Sequence, residues 1–353
     1  MQNIKKIKKG KRNLLFSSIC LILALILLTN VSLLADSHTS SGSGKLLYAG
    51  GIPFGVKFFS RGVVVAGFCD VPASTGAENP AQRAGLQKND VILSVNGKEP
   101  ESCEDFLAMI EASRGKALDI VFERNGERKE TKLYPVYSGE EGRYRSGLFI
   151  RQGGAGIGTV TYIDPQTLSF GGLGHGICDA ESGTLMPMSH GVVMDVNING
   201  LIKGKNGAPG EIKGSFSSVR RGVVHSNTEC GVFGMFSALP KNFEPKEYPI
   251  ATRSEVREGK AYILCTLDGS GTAEQYEIEI SAINRASRDN KSFTIKICDT
   301  ALIEKSGGII QGMSGSPIIQ NGRLVGAVTH VMISDPTVGY GIFIENMLER
   351  ADG

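Results

Sequence analysis

Seven residues near the C-terminus decide how this chain folds: Gln311-Gly-Met-Ser-Gly-Ser-Pro317. An apolar strand follows them, then an Asn321-Gly322 turn, and a second strand runs from Arg323 to Val331. A serine hydroxyl attacks only when a base can take its proton, so a nucleophilic serine belongs on a rigid, accessible bend. An α/β-hydrolase has a helix after its serine, whereas this serine is followed by a hairpin. The segment therefore predicts a β-protein with Ser314 as the nucleophile.

The glycines around Ser314 predict an oxyanion hole. Gly312 leaves its N–H free to point, together with the N–H of Ser314, at a developing negative charge. Gly315 keeps a side chain away from the hydroxyl. Ser316 is the alternative nucleophile, although Pro317 directly after it suits the start of a strand better. A plain turn between two strands is the other interpretation.

A nucleophilic serine also needs a base, and the chain has five histidines. His175 is favoured because it lies upstream of Ser314 among small residues, Gly171 to Gly176, which leave an imidazole accessible. The other histidines fall in a polar stretch, at turns, or near the end of the strand after Ser314: His38, His190, His225 and His330.

Residues 137–353 alternate short strands with glycine turns, as in Gly158–Ile163 and Tyr262–Leu267. Such spacing is typical of a sandwich or barrel. Because the Ser314 segment resembles that of trypsin-like peptidases, we expect a double β-barrel peptidase domain here and a mainly β chain overall.

Residues 47–136 have a different, α+β pattern. A short turn of helix at Pro80–Leu86 precedes the strand and Asn-Gly turn of Asp90–Gly97, and a helix and a hairpin follow. This order resembles a PDZ domain, which binds an extended peptide as an added strand. Its carboxylate-binding loop is predicted at Phe54, Gly55 and Val56, whose backbone N–H groups could hold an anion. The usual Gly-Leu-Gly-Phe is absent there, so a structural turn is the alternative.

The N-terminus predicts membrane targeting. Six basic residues precede the first acidic one, Asp36, and without them 32 basic residues stand against 36 acidic ones, so no nucleic-acid face is expected. The apolar run that follows is long enough for either an uncleaved signal anchor or a cleaved signal peptide over residues 1–35. The basic side should stay cytoplasmic, which places the rest of the chain across the membrane. Residues 36–46 are polar and predict a flexible stalk.

The seven cysteines show neither a CxxC pair nor zinc spacing, so we expect no metal and no cofactor. Their disulfide state is not determined by their spacing. Cys178 is a remote alternative nucleophile, since no oxyanion-type turn surrounds it.

These features together resemble the stage IV sporulation protein B peptidases of spore-forming bacteria, which have an apolar segment, a PDZ domain and a serine peptidase domain in this order. The likeness lies in four segments: Gly171–Asp179, Gly207–Gly214, Asp299–Pro317 and Gly326–Val331. It implies a triad of His175, Asp299 and Ser314. Asp299 lies only 15 residues before the serine, and the alternative acids are Asp179, Asp195 and Asp268.

The resemblance also implies a role. The enzyme would be exported to the forespore intermembrane space, cleave itself within residues 36–50, and cut a membrane protein that regulates an intramembrane metalloprotease. That cut would release processing of a late sporulation sigma factor. The PDZ domain would restrain the enzyme, bind its own tail or dock the target. The alternatives are a catalytically inactive, PDZ-based membrane adaptor and a structural protein of the spore envelope.

Overall fold

The computed structural model describes residues 44–74, 76–179, 183–268 and 271–351. The predicted membrane segment, residues 1–35, and most of the predicted stalk lie outside these ranges. Within the described part of the chain, no helix combines the length and the apolar character needed to cross a bilayer.

The described chain opens with two strands that belong to the first barrel, β1 (Leu46–Ala49) and β2 (Pro53–Phe59). We expected residues from 47 onward to start the PDZ domain. They instead pair with strands far downstream in the sequence, so the first barrel begins before the PDZ domain and resumes after it.

The PDZ domain is inserted between these strands and the rest of the barrel. Its sheet has the order β11-β3-β6-β7-β8 and packs on its own apolar core. The sheet extends to residue 151, beyond the expected boundary at 136. Its elements are β3 (Val63–Phe68), β4 (Val71–Ala73), β5 (Gly76–Glu78), α1 (Pro80–Arg83), β6 (Val91–Val95), α2 (Cys103–Ala112), β7 (Leu118–Arg124), β8 (Glu127–Leu133), β9 (Val136–Ser138), β10 (Arg143–Arg145) and β11 (Leu148–Arg151).

The PDZ sequence signature has a physical explanation in this insert. The carboxylate of Asp90 is buried and binds the Arg124 guanidinium at 2.7 Å, and it also accepts the Gln87 N–H. A buried charge needs such a partner, because water no longer solvates it. The pair ties the loop before β6 to the end of β7.

The chain then completes the first barrel. Eight strands form one sheet in the order β13-β16-β15-β14-β2-β12-β1-β17, and an additional pairing of β13 with β12 closes six of them into a ring. The added strands are β12 (Gly154–Ile163), β13 (Ser169–Gly172), β14 (His190–Ile202), β15 (Glu211–Thr228), β16 (Gly231–Phe236) and β17 (Glu247–Pro249).

A second closed barrel of six strands follows, in the order β18-β19-β20-β23-β22-β21. Alternating burial along β18 and β19 places one face in the barrel core and the other in water, as antiparallel strands allow. Its elements are β18 (Gly259–Cys265), β19 (Glu274–Ser281), β20 (Phe293–Ile297), α3 (Thr300–Ser306), β21 (Pro317–Gln320), β22 (Arg323–Met332), β23 (Asp335–Phe343) and α4 (Ile344–Ala351).

The two barrels share an apolar seam. Leu47 and Tyr162 of the first barrel belong to the same buried cluster as Ala327 and Ile342 of the second, and Met347 of α4 joins them. The expected double-barrel arrangement is therefore present, and the serine turn between α3 and β21 lies against the first barrel.

Candidate functional site

Ser314 lies on the turn that connects α3 to β21, at the junction of the two barrels. Its side chain is half-buried, and its hydroxyl donates a hydrogen bond to the carbonyl of Thr329 at 2.8 Å. Gly312 and Gly315 on either side have φ values of 100° and 96°, which side chains disfavour. The glycines thus give the turn its shape.

The backbone of this turn leaves two amides unpaired. Within the described chain, the N–H groups of Gly312 and Ser314 donate no hydrogen bond to a protein acceptor. The other amides of the turn donate as follows: Met313 to Ile310, Gly315 to Val328 and Ser316 to Met313. Half-buried amides without a partner are suited to receive an anionic oxygen. They are the two amides that the sequence predicted for the oxyanion hole.

His175 follows β13 and approaches the serine turn through its neighbours. A Cβ on Gly315 would lie 2.5 Å from the nitrogen of Leu173, and one on Gly174 would lie 3.0 Å from a side-chain carbon of Thr329. The backbone just before His175 therefore packs against the turn that carries Ser314. It also packs against Thr329, whose carbonyl accepts the hydrogen bond from the Ser314 hydroxyl. The Ser314 hydroxyl is hydrogen-bonded to the Thr329 carbonyl, and the His175 ring is hydrogen-bonded to the Gly176 carbonyl.

The hydrogen bond of His175 fixes its tautomer. Nδ1 lies 2.8 Å from the carbonyl oxygen of Gly176. Because a carbonyl oxygen only accepts, Nδ1 must carry the proton, and Nε2 keeps a lone pair. Burial lowers the pKa of His175 below its usual 6.5, which also favours the neutral ring. A neutral imidazole with a free Nε2 is the form that a general base requires.

His330, which the sequence pattern did not favour as the base, lies against His175. The two ring centroids are 4.8 Å apart at an angle of 35°. The Nδ1 atom of His330 is buried without a hydrogen-bond partner in the described chain. Burial lowers the pKa of His330 to about 4, and the charges of His175 and Lys291 add to this effect. The signal for His330 in the sequence was its position directly after Thr329, which only the fold connects to Ser314.

A pH measurement tests this arrangement. If His175 is the base, the acid limb of kcat/KM should have its midpoint below pH 6.5, because a lowered pKa keeps the ring neutral in more acidic solution. Replacing His330 with alanine admits water to His175, raises its pKa and moves the midpoint upward. The exposed His225, changed to alanine, is the control and should leave the profile unchanged. An unchanged midpoint in His330→Ala would contradict the proposed effect of His330 on the pKa of His175.

The structure does not bring Asp299 to His175. The carboxylate of Asp299 caps α3 by accepting the Leu302 N–H at 3.0 Å, and it lies 3.4 Å from the Glu277 amide. Asn290, before β20, accepts a hydrogen bond from Thr329, whereas Asp299 follows the other end of β20. The five residues of that strand span about 16 Å. The triad implied by resemblance is not assembled here.

The alternative acids each form an ion pair. Asp179 binds Arg151 at 2.7 Å, Asp195 binds Arg221 at 2.7 Å, and Asp268 lies 3.6 Å from Lys305. Asp179 borders the same cleft as His175 and His330, which has a volume of about 810 Å³. Its pairing with Arg151 connects this cleft to the PDZ domain.

The remaining candidates lack the setting for catalysis. Ser316 is fully buried and its hydroxyl has no partner in the described chain. Cys178 is an exposed residue. Desolvation of its thiol raises its pKa, and the nearby charge of Glu229 raises it further, so the reactive thiolate is disfavoured. His190 stacks on Phe59 in the first barrel, and His38 lies outside the described residues.

The predicted carboxylate-binding loop was wrong. Phe54, Gly55 and Val56 lie in the middle of β2, which pairs with β12 on one edge and β14 on the other. Phe54 and Val56 are each only 2% exposed and belong to the core of the first barrel. A strand paired on both edges has no free backbone groups for a peptide. The apolar pattern of these residues fits a barrel strand as well as a PDZ strand.

An unpaired edge of the PDZ sheet lies elsewhere. β11 pairs with β3 alone in the described chain, and Phe149 on it is 55% exposed. The opposite edge, β8, is rich in charged residues, which discourage strand addition. The signal in the sequence was Ser146-Gly147 leading into Leu148-Phe-Ile150, a glycine turn before an apolar strand.

Two protein families match parts of this chain. The family described as SpoIVB peptidase S55 matches residues 142–348, and the PDZ domain family matches residues 75–124. Zinc metalloprotease RasP of Shouchella clausii (strain KSM-K16) is 41% identical over 56 residues, which are 16% of this chain and 13% of that protein. Probable protease eep of Enterococcus faecalis (strain ATCC 700802 / V583) is 38% identical over 56 residues, with the same two shares. The chain thus spans only a small part of these relatives.

Solved structures are similar at a lower level. The active form of the Rv3671c protease from M. tuberculosis covers 56% of this chain and 74% of its own, at 16% identity and a TM-score of 0.30. The HtrA-type protease AlgW with decapeptide covers 88% and 64%, at 11% identity and a TM-score of 0.33. Both TM-scores are low, so the fold rests on the strand pairings described above. The family match covers more than half of the sequence, and the chain therefore belongs to the SpoIVB peptidase S55 family of serine peptidases, as its motifs predicted.

Proposed function

We propose that this protein is an active serine endopeptidase in which Ser314 is the nucleophile and His175 the general base. The observation that carries the proposal is the pair of unpaired amides, Gly312 and Ser314, beside a serine hydroxyl. The segment before His175 packs against the same turn. A site of this kind stabilises the tetrahedral intermediate of acyl transfer.

The mechanism begins with a rotation of the Ser314 side chain away from Thr329 and toward Nε2 of His175. His175 takes the hydroxyl proton while Oγ attacks the peptide carbonyl carbon, and the resulting oxyanion accepts hydrogen bonds from Gly312 and Ser314. His175 then gives its proton to the leaving amine, and the C–N bond breaks to leave an acyl-enzyme. Water, deprotonated by His175, hydrolyses the ester and restores the serine.

The carbonyl of Gly176 performs part of the role usually given to a triad acid. It holds the Nδ1 proton and so keeps Nε2 free. A neutral carbonyl stabilises an imidazolium less than a carboxylate does, which lowers the expected rate. The proposed catalytic machinery is therefore a pair, Ser314 and His175, oriented by the carbonyl of Gly176.

Asp299 is tested by two substitutions. We expect Asp299→Asn to change kcat less than about 10-fold, because asparagine caps a helix as well as aspartate does. Asp299→Ala should lose about 1 kcal/mol of unfolding free energy with the cap. Activity assays and denaturant titrations of both variants measure these effects. A fall of about 10⁴-fold in kcat for the asparagine variant would instead establish Asp299 as the triad acid.

We further propose the role implied by the resemblance. The basic tip and apolar run favour export with membrane attachment, and the family favours action in the forespore intermembrane space. The enzyme would have two substrates: its own residues 36–50, and a membrane protein that regulates an intramembrane metalloprotease. That metalloprotease would in turn process a late sporulation sigma factor. The free β11 edge of the PDZ domain is the proposed peptide-docking strand in place of residues 54–56.

The bond between Ser314 and Thr329 favours one alternative, an inactive PDZ-based adaptor in which the hydroxyl never reaches His175. Full-length protein in detergent separates the two. The peptidase should take a fluorophosphonate at Ser314 and release N-terminal fragments that mass spectrometry maps to residues 36–50. Ser314→Ala should do neither. An adaptor would bind a target peptide and remain unlabelled, and label at another serine would refute the assignment.

A further inference from the structure

Two buried threonines of the first barrel hold the turn that carries Ser314. Thr159 and Thr161 lie two residues apart on β12, so their side chains share one face of the strand. They are 3% and 0% exposed. The Thr159 hydroxyl donates to the Gly312 carbonyl at 2.7 Å, and the Thr161 hydroxyl donates to the Gly315 carbonyl at 2.8 Å. We infer that both are positioning residues for the oxyanion hole.

The hydrogen bonds of the turn divide between the barrels. Its carbonyls at Gly312, Ser314 and Gly315 accept from the first barrel, where the Thr159 amide supplies the middle bond at 2.9 Å. The N–H groups of the same peptide units donate within the second barrel, from Met313, Gly315 and Ser316. A peptide unit is planar, so a bond at each end prevents it from rotating.

The free amides alternate with these held units. The Gly312 N–H belongs to the unit before the first held one, and the Ser314 N–H lies between two held units. Fixing these units fixes the dihedral angles on both sides of the Ser314 amide and on the C-terminal side of the Gly312 amide. The peptide unit of the Gly312 amide is itself held by the bond from the Ile212 N–H to the Gln311 carbonyl at 2.8 Å. The threonines therefore set the direction in which the oxyanion donors point, without contacting substrate. This inference rests on the proposed function.

Threonine is suited to this position because its hydroxyl adds a second donor to the backbone amide, which every residue except proline offers. Thr159 uses its amide for the Ser314 carbonyl and its hydroxyl for the Gly312 carbonyl. Valine has nearly the same shape and lacks the hydroxyl, so Thr159→Val leaves the partly buried Gly312 carbonyl without this donor. The peptide unit after Gly312 is then free to turn, and the donors lose their alignment.

The test compares Thr159→Val and Thr161→Val with the rescue variant Thr159→Ser, in the full-length chain. The matched control is Thr266→Val, because Thr266 is also 3% exposed and its hydroxyl donates to a remote carbonyl, that of Gly51, at 3.0 Å. We expect kcat to fall about 10- to 100-fold in Thr159→Val and in Thr161→Val, with KM nearly unchanged. Misaligned donors weaken the binding of the transition state more than the binding of the substrate. Affinity for a peptide boronate should fall in parallel. Thr159→Ser should restore both, and Thr266→Val should resemble the wild type.

A second measurement tests the positioning role of the two threonines independently of catalysis. Amide hydrogen exchange at Met313 and Gly315, measured in the Ser314→Ala background, should be faster in Thr159→Val than in Thr266→Val. Equal exchange, or equal loss of kcat in Thr266→Val, would overturn the inference. A wild-type protein that neither cleaves nor takes the label would refute the proposed function, while the exchange rates would still decide the role of the threonines.

Discussion

Replacing Ser314 with alanine is expected to lower kcat by about 10⁴- to 10⁶-fold, because nucleophile and base act as one unit. His175→Ala should cost a similar factor, and the double variant little more, since either change alone removes the covalent step. The assay is cleavage of a peptide that spans residues 36–50, followed by mass spectrometry. KM should change little in all three proteins.

Folding controls distinguish chemistry from damage. Ser314 gives up one hydrogen bond, to Thr329, so Ser314→Ala should lose only about 1 kcal/mol of unfolding free energy. His175→Ala removes the ring that packs at a tilt against His330 and should destabilise the cleft moderately. Strictly additive losses of kcat in the double variant would contradict the joint action of the two residues.

Gly315→Ala is expected to disrupt the junction of the barrels and abolish activity. A Cβ at this position would lie 2.0 Å from the carbonyl oxygen of Thr159 and 2.5 Å from the nitrogen of Leu173, both of which are backbone atoms. Its φ of 96° adds strain for any L-residue. Because neither neighbour can move without breaking the strand pairings, we expect a loss of more than about 4 kcal/mol in unfolding free energy.

The matched control for this substitution is Gly322→Ala. Gly322 lies in the turn after β21, has a positive φ of 74°, and has no atom within 4 Å of the added Cβ. It carries the backbone strain without the clash, so it should lose only about 1–2 kcal/mol. Denaturant unfolding of both variants measures the difference. Similar losses in the two proteins would show that backbone conformation, and not the close approach of Thr159, makes Gly315 necessary.

The PDZ domain shows how far local pattern reaches. Its helices and its Asn-Gly turns were predicted from the sequence, because each depends on residues close together in the chain. The burial of Asp90 was not predicted, because its partner Arg124 lies 34 residues further along. Its peptide-docking edge was misplaced. The strand at residues 53–59 and the strand at residues 148–151 both read as apolar, and only the pairing of distant strands assigns the first to the barrel and the second to the PDZ sheet.

The sequence by itself determined the family, the mainly β fold and the turn at Ser314, because glycine spacing around a serine is a local requirement of backbone geometry. Only the tertiary structure decided what surrounds that turn. Thr159 and Thr329 contact it across 155 and 15 residues of chain, whereas Asp299, also 15 residues away, caps a helix instead. Contacts between barrels depend on how strands pair, and that pairing is fixed by the packing of the whole core.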